Sequence, residues 1–404
     1  MTRPLEGITV VEVATWAFVP VAGAILSDMG AEVIKIEASE GDPSRVLVTR
    51  LGNGAPPTVN FTWESYNRGK KSLTLDLRQE AGRAALYRLL EGADVFLTNL
   101  LPPAHARMGI DAETLGAKFP RLIYATGSAV GHRGPQANKG GYDSISFWAR
   151  GGVSSMLTED GVERPVGPPG PAFGDTLSGS MLAGGICAAI ARRAMTGEAD
   201  TVDVSLLGGA MWAMQRAIVQ ATDENVDRFA RPPADLPNNV LSNTYRTSDD
   251  RFLALCMLQA DKYWARLCEL IGRPDMASDP RYVDAAARRT NVRTCVEELN
   301  AVFAARPLEE WRGILAQQDG QWDVVQHVGE LCADEQVRAN GLIQSVPSGT
   351  GRDVPIVSVP MQFGGVPLPT RPAPELGADS DAILGGIGYD EDEIIALKVA
   401  GVVL

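Results

Sequence analysis

A chain of 404 residues with 45% hydrophobic and 22% charged side chains is too long for one ordinary core and has the composition of a soluble globular protein of two or three domains. Its net charge of −13 gives no general attraction for nucleic acid or an acidic membrane, and its longest nearly apolar run, Ala17 to Leu26, contains Pro20 and is too short to span a bilayer. Five cysteines without CxxC spacing and three isolated histidines offer neither a disulfide framework nor a metal-ligand set. The start, MTRPLEGITVVEV, enters a strand pattern without an apolar signal core, so the expected compartment is the cytoplasm.

In chain order, Ile8 to Val13 reads as a buried strand and Pro20 to Met29 as a helix opened by its proline. Ala31 to Glu37 is a second strand, followed by a long turn-rich loop over 41–58 that is expected near function. Lys71 to Leu75, Asp94 to Thr98 and Arg121 to Thr126 are further strands. Gln79 to Glu91 and Ala112 to Lys118 are the helices between them. This alternation predicts a Rossmann-like, doubly wound parallel α/β sheet. The first strand–helix turn, VEVATWAFVPVAG, lacks the GxGxxG fingerprint, and no GxxxxGK[ST] loop occurs, which argues against NAD and ATP.

The stretch from Pro165 to Leu207 stands out. Its approach, PVGPPGPAFG, cannot continue a helix or a central strand. The following TLSGSMLAGGICAAIARRAM is helical and stops at Thr196-Gly197. Asp175 therefore sits at or beside a helix N-terminus, where unpaired N–H groups and the positive dipole end favour its charge. From these residues alone, an N-cap is the commoner explanation and a nucleophilic carboxylate the sharper one.

Thr201 to Ser205 reads as a strand and Leu206 to Ala221 as one helix. The first domain is placed at 1–222, and a polar, proline-bearing linker at 223–243. A small α+β domain over 244–322 opens with a hairpin around Tyr245 to Met257 and continues with helices near 261–271, 283–305 and 307–317. Residues 323–404 read as irregular connecting chain that returns to the large domain and ends in the acidic-capped helix DEDEIIALKVAG.

The chain as a whole resembles the class III CoA-transferases, the family of formyl-CoA transferase and carnitine CoA-transferase. The resemblance is carried, in order, by PLEGITVVEV, GAEVIKIEASEGDPSR, NRGKKSLTLDL, IYATGSAVGHRGP, GGYDSI, GDTLSGSMLAGG, TGEADTVDVSLL, YRTSDDRFLAL, LIGRPDMASDPRY and RPAPELGADSDAILGGIGYDEDEI. It implies coenzyme A, carried as an acyl-CoA substrate, a carboxylic acid acceptor, and an interlocked homodimer. It also implies that Asp175, the aspartate of the GD motif, is a nucleophile that passes through mixed-anhydride and aspartyl-CoA thioester states.

By the same resemblance Arg107 and Lys139 match basic contacts to the cofactor, and Asn99 matches an asparagine of an ENFRP-like segment; Lys71 is a further candidate contact. This chain has Leu101 where that segment carries arginine. Tyr142 and Asp143 of GGYD, with Trp16 and Phe18 of the first turn, are expected at the substrate. Trp16, Phe18, Trp148 and Trp212 together raise the expectation of a fairly large apolar acyl group. The rival within the fold is an α-methylacyl-CoA racemase, whose histidine falls where this chain has Tyr142. A non-catalytic acyl-CoA-binding protein is the alternative from another class.

Overall fold

The computed structural model describes residues 3–47, 57–231, 236–348 and 351–404. Residues 48–56 of the long loop and 232–235 of the linker lie outside them. Six parallel strands form the main sheet: β1 (Thr9–Val13), β2 (Glu32–Glu37), β3 (Lys71–Thr74), β4 (Val95–Thr98), β5 (Ile123–Ser128) and β6 (Thr201–Ser205), in the order β3-β2-β1-β4-β5-β6. Parallel strands buried on both faces read as continuous apolar runs, and β4, VFLT, is buried at every position.

The helices after β1 to β5 are α1 (Phe18–Asp28), α2 (Phe61–Asn67), α3 (Glu80–Leu90), α4 (Pro102–Met108), α5 (Ala112–Lys118), α6 (Val153–Leu157) and α7 (Phe173–Thr196), with α8 (Leu206–Ala213) following β6. Two apolar layers cover the sheet. One joins Val21, Ile25 and Leu26 of α1 to Leu182 and Ile186 of α7. The other joins Leu86, Leu89 and Leu90 of α3 to Leu73, Phe96 and Tyr124 on the opposite face. With 24 residues α7 has the length and apolarity of a membrane span, yet its buried residues Leu182, Ala183 and Ile186 lie in the first of these layers.

Several boundaries differ from the sequence reading. The single helix expected over 206–221 breaks at Met214 (φ −98°, ψ 7°) into α8 and Gln215–Asp223; no proline or glycine marks the break. The helix expected over 283–305 likewise divides at Asn291, whose side-chain amide donates to the carbonyls of Arg281 and Ala287. Asn competes for backbone groups in this way. The C-terminal stretch is less irregular than expected. Ile343–Pro347 pairs with Asp353–Val357 as an antiparallel hairpin, and Ser380–Gly386 and Glu391–Val399 are helices, the second with an Asp390/Glu393 capping box.

The chain divides into two compact units, Met1–Met156 with Val166–Asp227 and Glu335–Leu404 in one, and Leu157–Pro165 with Arg228–Asp334 in the other. In the first, the C-terminal residues are bonded along β3: Ser72 N–H donates to Asp379 Oδ2 at 2.9 Å, Asp76 N–H to the Val402 carbonyl at 2.9 Å, and Leu404 N–H to Thr74 Oγ1 at 2.9 Å. The second unit has a three-stranded antiparallel sheet of Thr244–Arg246, Phe252–Leu255 and Trp322–Val324. Its core stacks Tyr245 on Phe303 at 4.9 Å and Phe303 beside Trp311 at 5.0 Å.

Where α7 crosses α1, a Cβ on Gly179 would stand 2.6 Å from the Phe18 carbonyl oxygen and 2.8 Å from Val21 Cγ1. We expect Gly179→Ala to destabilise the protein by about 1–3 kcal/mol because backbone must move to admit the methyl. Gly116 in α5 has open space around it, so Gly116→Ala should add roughly 0.5–1 kcal/mol. Thermal unfolding of the two variants checks both signs.

Candidate active site

In a parallel sheet the crevice forms where the strand order reverses, here between β1 and β4. The loops leaving these strands are tied by one side chain. Asn99 Oδ1 accepts from Thr15 N–H at 3.0 Å and its amide donates to the Thr15 carbonyl at 2.7 Å. Asn99, expected as a cofactor contact, thus has both ends of its amide engaged by the β1–α1 turn. In that turn Trp16 is left-handed, with φ 69°. A residue with a Cβ pays about 1–2 kcal/mol for this region, so the surrounding bonds must hold it there.

A cavity of about 360 Å³ opens above the turn, lined among others by Trp16, Phe18, Asn99, Leu101, Lys139, Tyr142, His132 and Asp175. A second pocket of about 240 Å³, more apolar, lies over the ends of β1, β2 and β3 between Val13, Ile36, Leu75, Arg78 and Met108. Thr15 and Leu100 line both, so the two are neighbours across the Thr15–Asn99 bridge.

Asp175 stands in the first turn of α7 and not at its cap, which is Ala172 in left-handed conformation (φ 60°). The helix start is fixed by Asp143, a buried carboxylate at the entry to the π-helix Ser144–Ala149, whose Oδ1 accepts from Gly174 N–H at 3.1 Å. This approach requires glycine at 174: a Cβ there would stand 2.4 Å from Asp143 Oδ1 and 2.2 Å from Phe147 Cγ. Asp175 itself is half-buried. Burial, with the Asp143 charge second, pushes its carboxyl up to about 7. Burial also raises Asp143, against the opposing pull of the Gly174 and Phe173 N–H groups.

The other expected residues divide. Trp16 and Tyr142 meet edge to face at 5.7 Å on the cavity wall, Tyr142 being 58% exposed. Phe18 is buried at its base, and Lys139 is exposed on its rim. Arg107 is exposed in the last turn of α4 and lines neither pocket, although Met108 beside it lines the second. The structure does not bring Lys71 to either pocket. It sits at the first position of β3, the opposite end of the strand from the crevice, ion-paired with Glu32. Trp148 is core, its indole N–H bonded to the Val166 carbonyl at 2.8 Å, and Trp212 is 63% exposed on α8. Neither lines the cavity.

Sequence reasoning missed three features. Tyr66 of α2 lies within the fields of Asp175 and Asp143; burial raises its phenol most, the Thr176 side chain opposes this, and the two charges add to the rise. His132 lines the cavity with Nε2 at 3.3 Å from Thr126 Oγ1 and 3.5 Å from Asp203 Oδ1. Beneath the turn lies a buried cluster of Glu12, Lys35, Asp42 and Lys70. The cluster left a trace in the sequence, since Glu12 is the single charge of β1, Lys35 lies between the apolar Ile34 and Ile36 of β2, and the two are register partners. Among the described residues no group of three or more His, Cys, Asp or Glu side chains could hold a metal ion.

Residues 5–380 match CoA-transferase family III. The chain is 32% identical over 400 residues to the (R)-2-hydroxy-4-methylpentanoate CoA-transferase of Clostridioides difficile, with 99% of each chain covered. It is 32% identical over 404 residues to the cinnamoyl-CoA:phenyllactate CoA-transferase of Clostridium sporogenes, covering 98% of this chain and 96% of the other. Among solved structures it superposes on a CAIB/BAIF family protein from Brucella suis with a TM-score of 0.83 and 27% identity, over 96% of this chain and 100% of that one. On the matched length, the sheet order and the extent of these similarities, the chain belongs to CoA-transferase family III, and it is an enzyme of the transferase class.

Proposed function

We propose that this protein moves CoA from an acyl-CoA donor to a carboxylic acid acceptor, with Asp175 as the covalent carrier. The observation that carries the reading is a half-buried carboxylate, raised to about 7, on the wall of a cavity at the strand-order reversal. A carboxyl group that gains its proton near neutrality is a better nucleophile once ionised than an ordinary acid. In the first step an Asp175 oxygen attacks the thioester carbonyl, the C–S bond breaks, and CoA leaves as the thiolate. The thiolate then attacks the Asp175 carbonyl of the mixed anhydride. The donor acid is released carrying one Asp175 oxygen, and Asp175 holds CoA as a thioester. The acceptor carboxylate opens this thioester to form a second anhydride. Thiolate attack on the acceptor's carbonyl gives the new acyl-CoA and restores Asp175. Nearby backbone N–H groups of the α7 first turn are suited to each tetrahedral oxyanion.

Coenzyme A is long enough to use both pockets, its aromatic head in the apolar slot beside Arg78 and Met108 and its thiol arm passing Thr15 toward Asp175. Lys139 on the rim, and Arg107 on α4, supply positive charge for its phosphates. Trp16, Phe18, Tyr142, Ile145 and Leu101 give the cavity an apolar and aromatic wall, which supports a bulky branched or aryl acyl group. The two relatives above are named for acids of that kind. The working unit in this reading is an interlocked homodimer.

A second reading, proton transfer at the carbon next to the thioester, is favoured by one observation, the pairing of the cavity-lining His132 with Asp203. Incubating acyl-CoA and a second acid in deuterated water separates the readings. Transfer moves CoA, racemisation places deuterium at C2, and a passive binder does neither.

Asp175→Asn should lower transfer by at least 10³-fold while acyl-CoA binding by calorimetry stays within a few-fold, and hydroxylamine added during turnover should convert Asp175 of the parent to a hydroxamate visible by peptide mass. Transfer near the parent rate in the Asn variant, without deamidation back to Asp, sinks the covalent mechanism. Because Asp175 acts ionised, kcat/KM should fall as pH drops through about 7. Asp143→Asn removes the neighbouring negative charge, so that midpoint should move to lower pH; a pH–rate profile showing no shift would assign the raised value to burial alone. Sedimentation at low concentration should give dimer without a folded monomer; a stable folded monomer contradicts the interlocked assembly. A panel of acyl-CoA donors should favour branched and aryl acids, and strong preference for oxalate-sized acids would rule out the bulky pocket.

A further inference from the structure

Three successive residues of the β1–α1 turn are each held by a side chain from β2 or from the loops that follow β2 and β4. Lys35 Nζ, from β2, donates to the Ala14 carbonyl at 2.7 Å. Asn99 bridges Thr15 through both its N–H and its carbonyl. Asp42 Oδ1 accepts from Trp16 N–H at 3.2 Å and from Ser44 N–H at 2.8 Å. The residue at the end of this series is the one in left-handed conformation, and its indole forms the cavity wall against Tyr142.

Lys35 and Asp42 are two corners of a buried ionic cluster. Lys35 Nζ is 2.9 Å from Asp42 Oδ2 and 3.1 Å from Glu12 Oε1. Lys70 Nζ is 2.8 Å from Glu12 Oε2, and it also donates to the Pro20 carbonyl in the first turn of α1 at 2.9 Å and to Asn67 Oδ1 at 3.0 Å. Asp42 N–H donates to Glu37 Oε2 at 3.0 Å, and Glu37 is paired with Arg45. Room for the cluster is built into α1: a Cβ on Gly23 would stand 2.0 Å from Glu12 Oε2. Buried ion clusters are weak sources of net stability, and their best-attested use is to specify one geometry over others. The geometry specified here is that of the turn, since Lys35 reaches one end of it, Asp42 the other and Lys70 the helix it feeds.

We propose that Lys35 and Asp42 are positioning residues for transfer, holding the 14–16 turn so that the Trp16 indole forms the cavity wall beside the acyl group; this rests on reading the cavity as the acyl-CoA site. Neither residue lines the cavity of Trp16 and Asp175, although Asp42 borders the second pocket; Asp42 reaches the acyl cavity through its bond to Trp16 N–H, and Lys35 through Ala14 and Asp42. The 41–58 loop, expected near function, supplies Asp42 to this cluster, and of the two adjacent lysines it is Lys70 and not Lys71 that enters it.

The test uses full-length protein labelled with 5-fluorotryptophan, with the Trp16 fluorine resonance assigned by Trp16→Phe. Asp42→Ala removes the acceptor for Trp16 N–H. Its Trp16 resonance should shift or broaden while those of Trp264 and Trp311 stay in place, and kcat/KM should fall at least tenfold at a temperature where the variant is folded. Asp42→Asn keeps an oxygen for Trp16 N–H and should recover most of both. The charge-balanced double Lys35→Met/Asp42→Asn guards against failure of the single variant to fold; it should be folded, with Trp16 displaced and kcat/KM lowered. An unmoved Trp16 resonance in Asp42→Ala, or a moved one with kcat/KM within twofold of the parent, overturns the inference. Absence of CoA transfer in the parent protein sinks the functional reading and the catalytic half of this inference with it, whereas an unmoved resonance sinks the inference alone.

Discussion

Everything at the site depends on one topological fact, the reversal of strand order between β1 and β4. The helices that follow these strands leave on opposite faces, α1 into the layer with α7 and α4 toward the layer with α3, so the two loops part and leave a crevice. A crevice of this kind is soft unless its lips are joined. Asn99 joins them by taking the place of a backbone strand partner for Thr15, one donor and one acceptor matched to one carbonyl and one N–H. The usual glycine-rich phosphate turn is absent, and side chains of β2 and of the loops after β2 and β4 stiffen the turn instead.

The electrostatics follow from close packing at the start of α7. Gly174 lets the Asp143 carboxylate reach the helix N-terminus, where the N–H groups favour negative charge. That leaves Asp175, one residue on, next to a like charge and partly out of water. The two acids are thereby separated in role: Asp143 accepts backbone hydrogen bonds that oppose its own upward shift, while no backbone hydrogen bond figures among the causes acting on Asp175. Burial does most to bring Asp175 near neutrality, and the carboxylate bonded to the helix start adds to it.

The alternation of apolar strands and amphipathic helices was legible in the sequence because it rests on local period and turn residues. β1 to β6 fall within two residues of their expected bounds. Asp175 was legible as a helix-start residue, but its exact place was not, because Ala172 carries no capping side chain to announce it. What failed to show were features that exist only across distance. Of the adjacent Lys70 and Lys71 the sequence offers no basis for choosing, yet one side chain turns inward to Glu12 and the other outward to Glu32. Breaks at Met214 and Asn291 went unseen because no proline or glycine marks them; at Asn291 the side-chain amide takes the Arg281 and Ala287 carbonyls. His132 read as isolated because Asp203 approaches it from the neighbouring strand.

The stitching of the chain's final stretch along β3 has a consequence for synthesis. The edge of the main sheet is bonded to residues 372–404, which leave the ribosome after the whole of the second unit. That second unit is nearly contiguous, 228–334; its first hairpin is local, and its third strand, Trp322–Val324, and its helices are all made before residue 335. The middle of the chain therefore has all its residues before the N-terminal sheet has the segment that is bonded along its edge. During that interval the exposed margin of β3 is an open pairing surface, the kind of edge that recruits another strand. A slow stretch of translation before residue 372 would lengthen that exposure, and a chaperone that shields strand edges would matter more to this protein than one that shields helices.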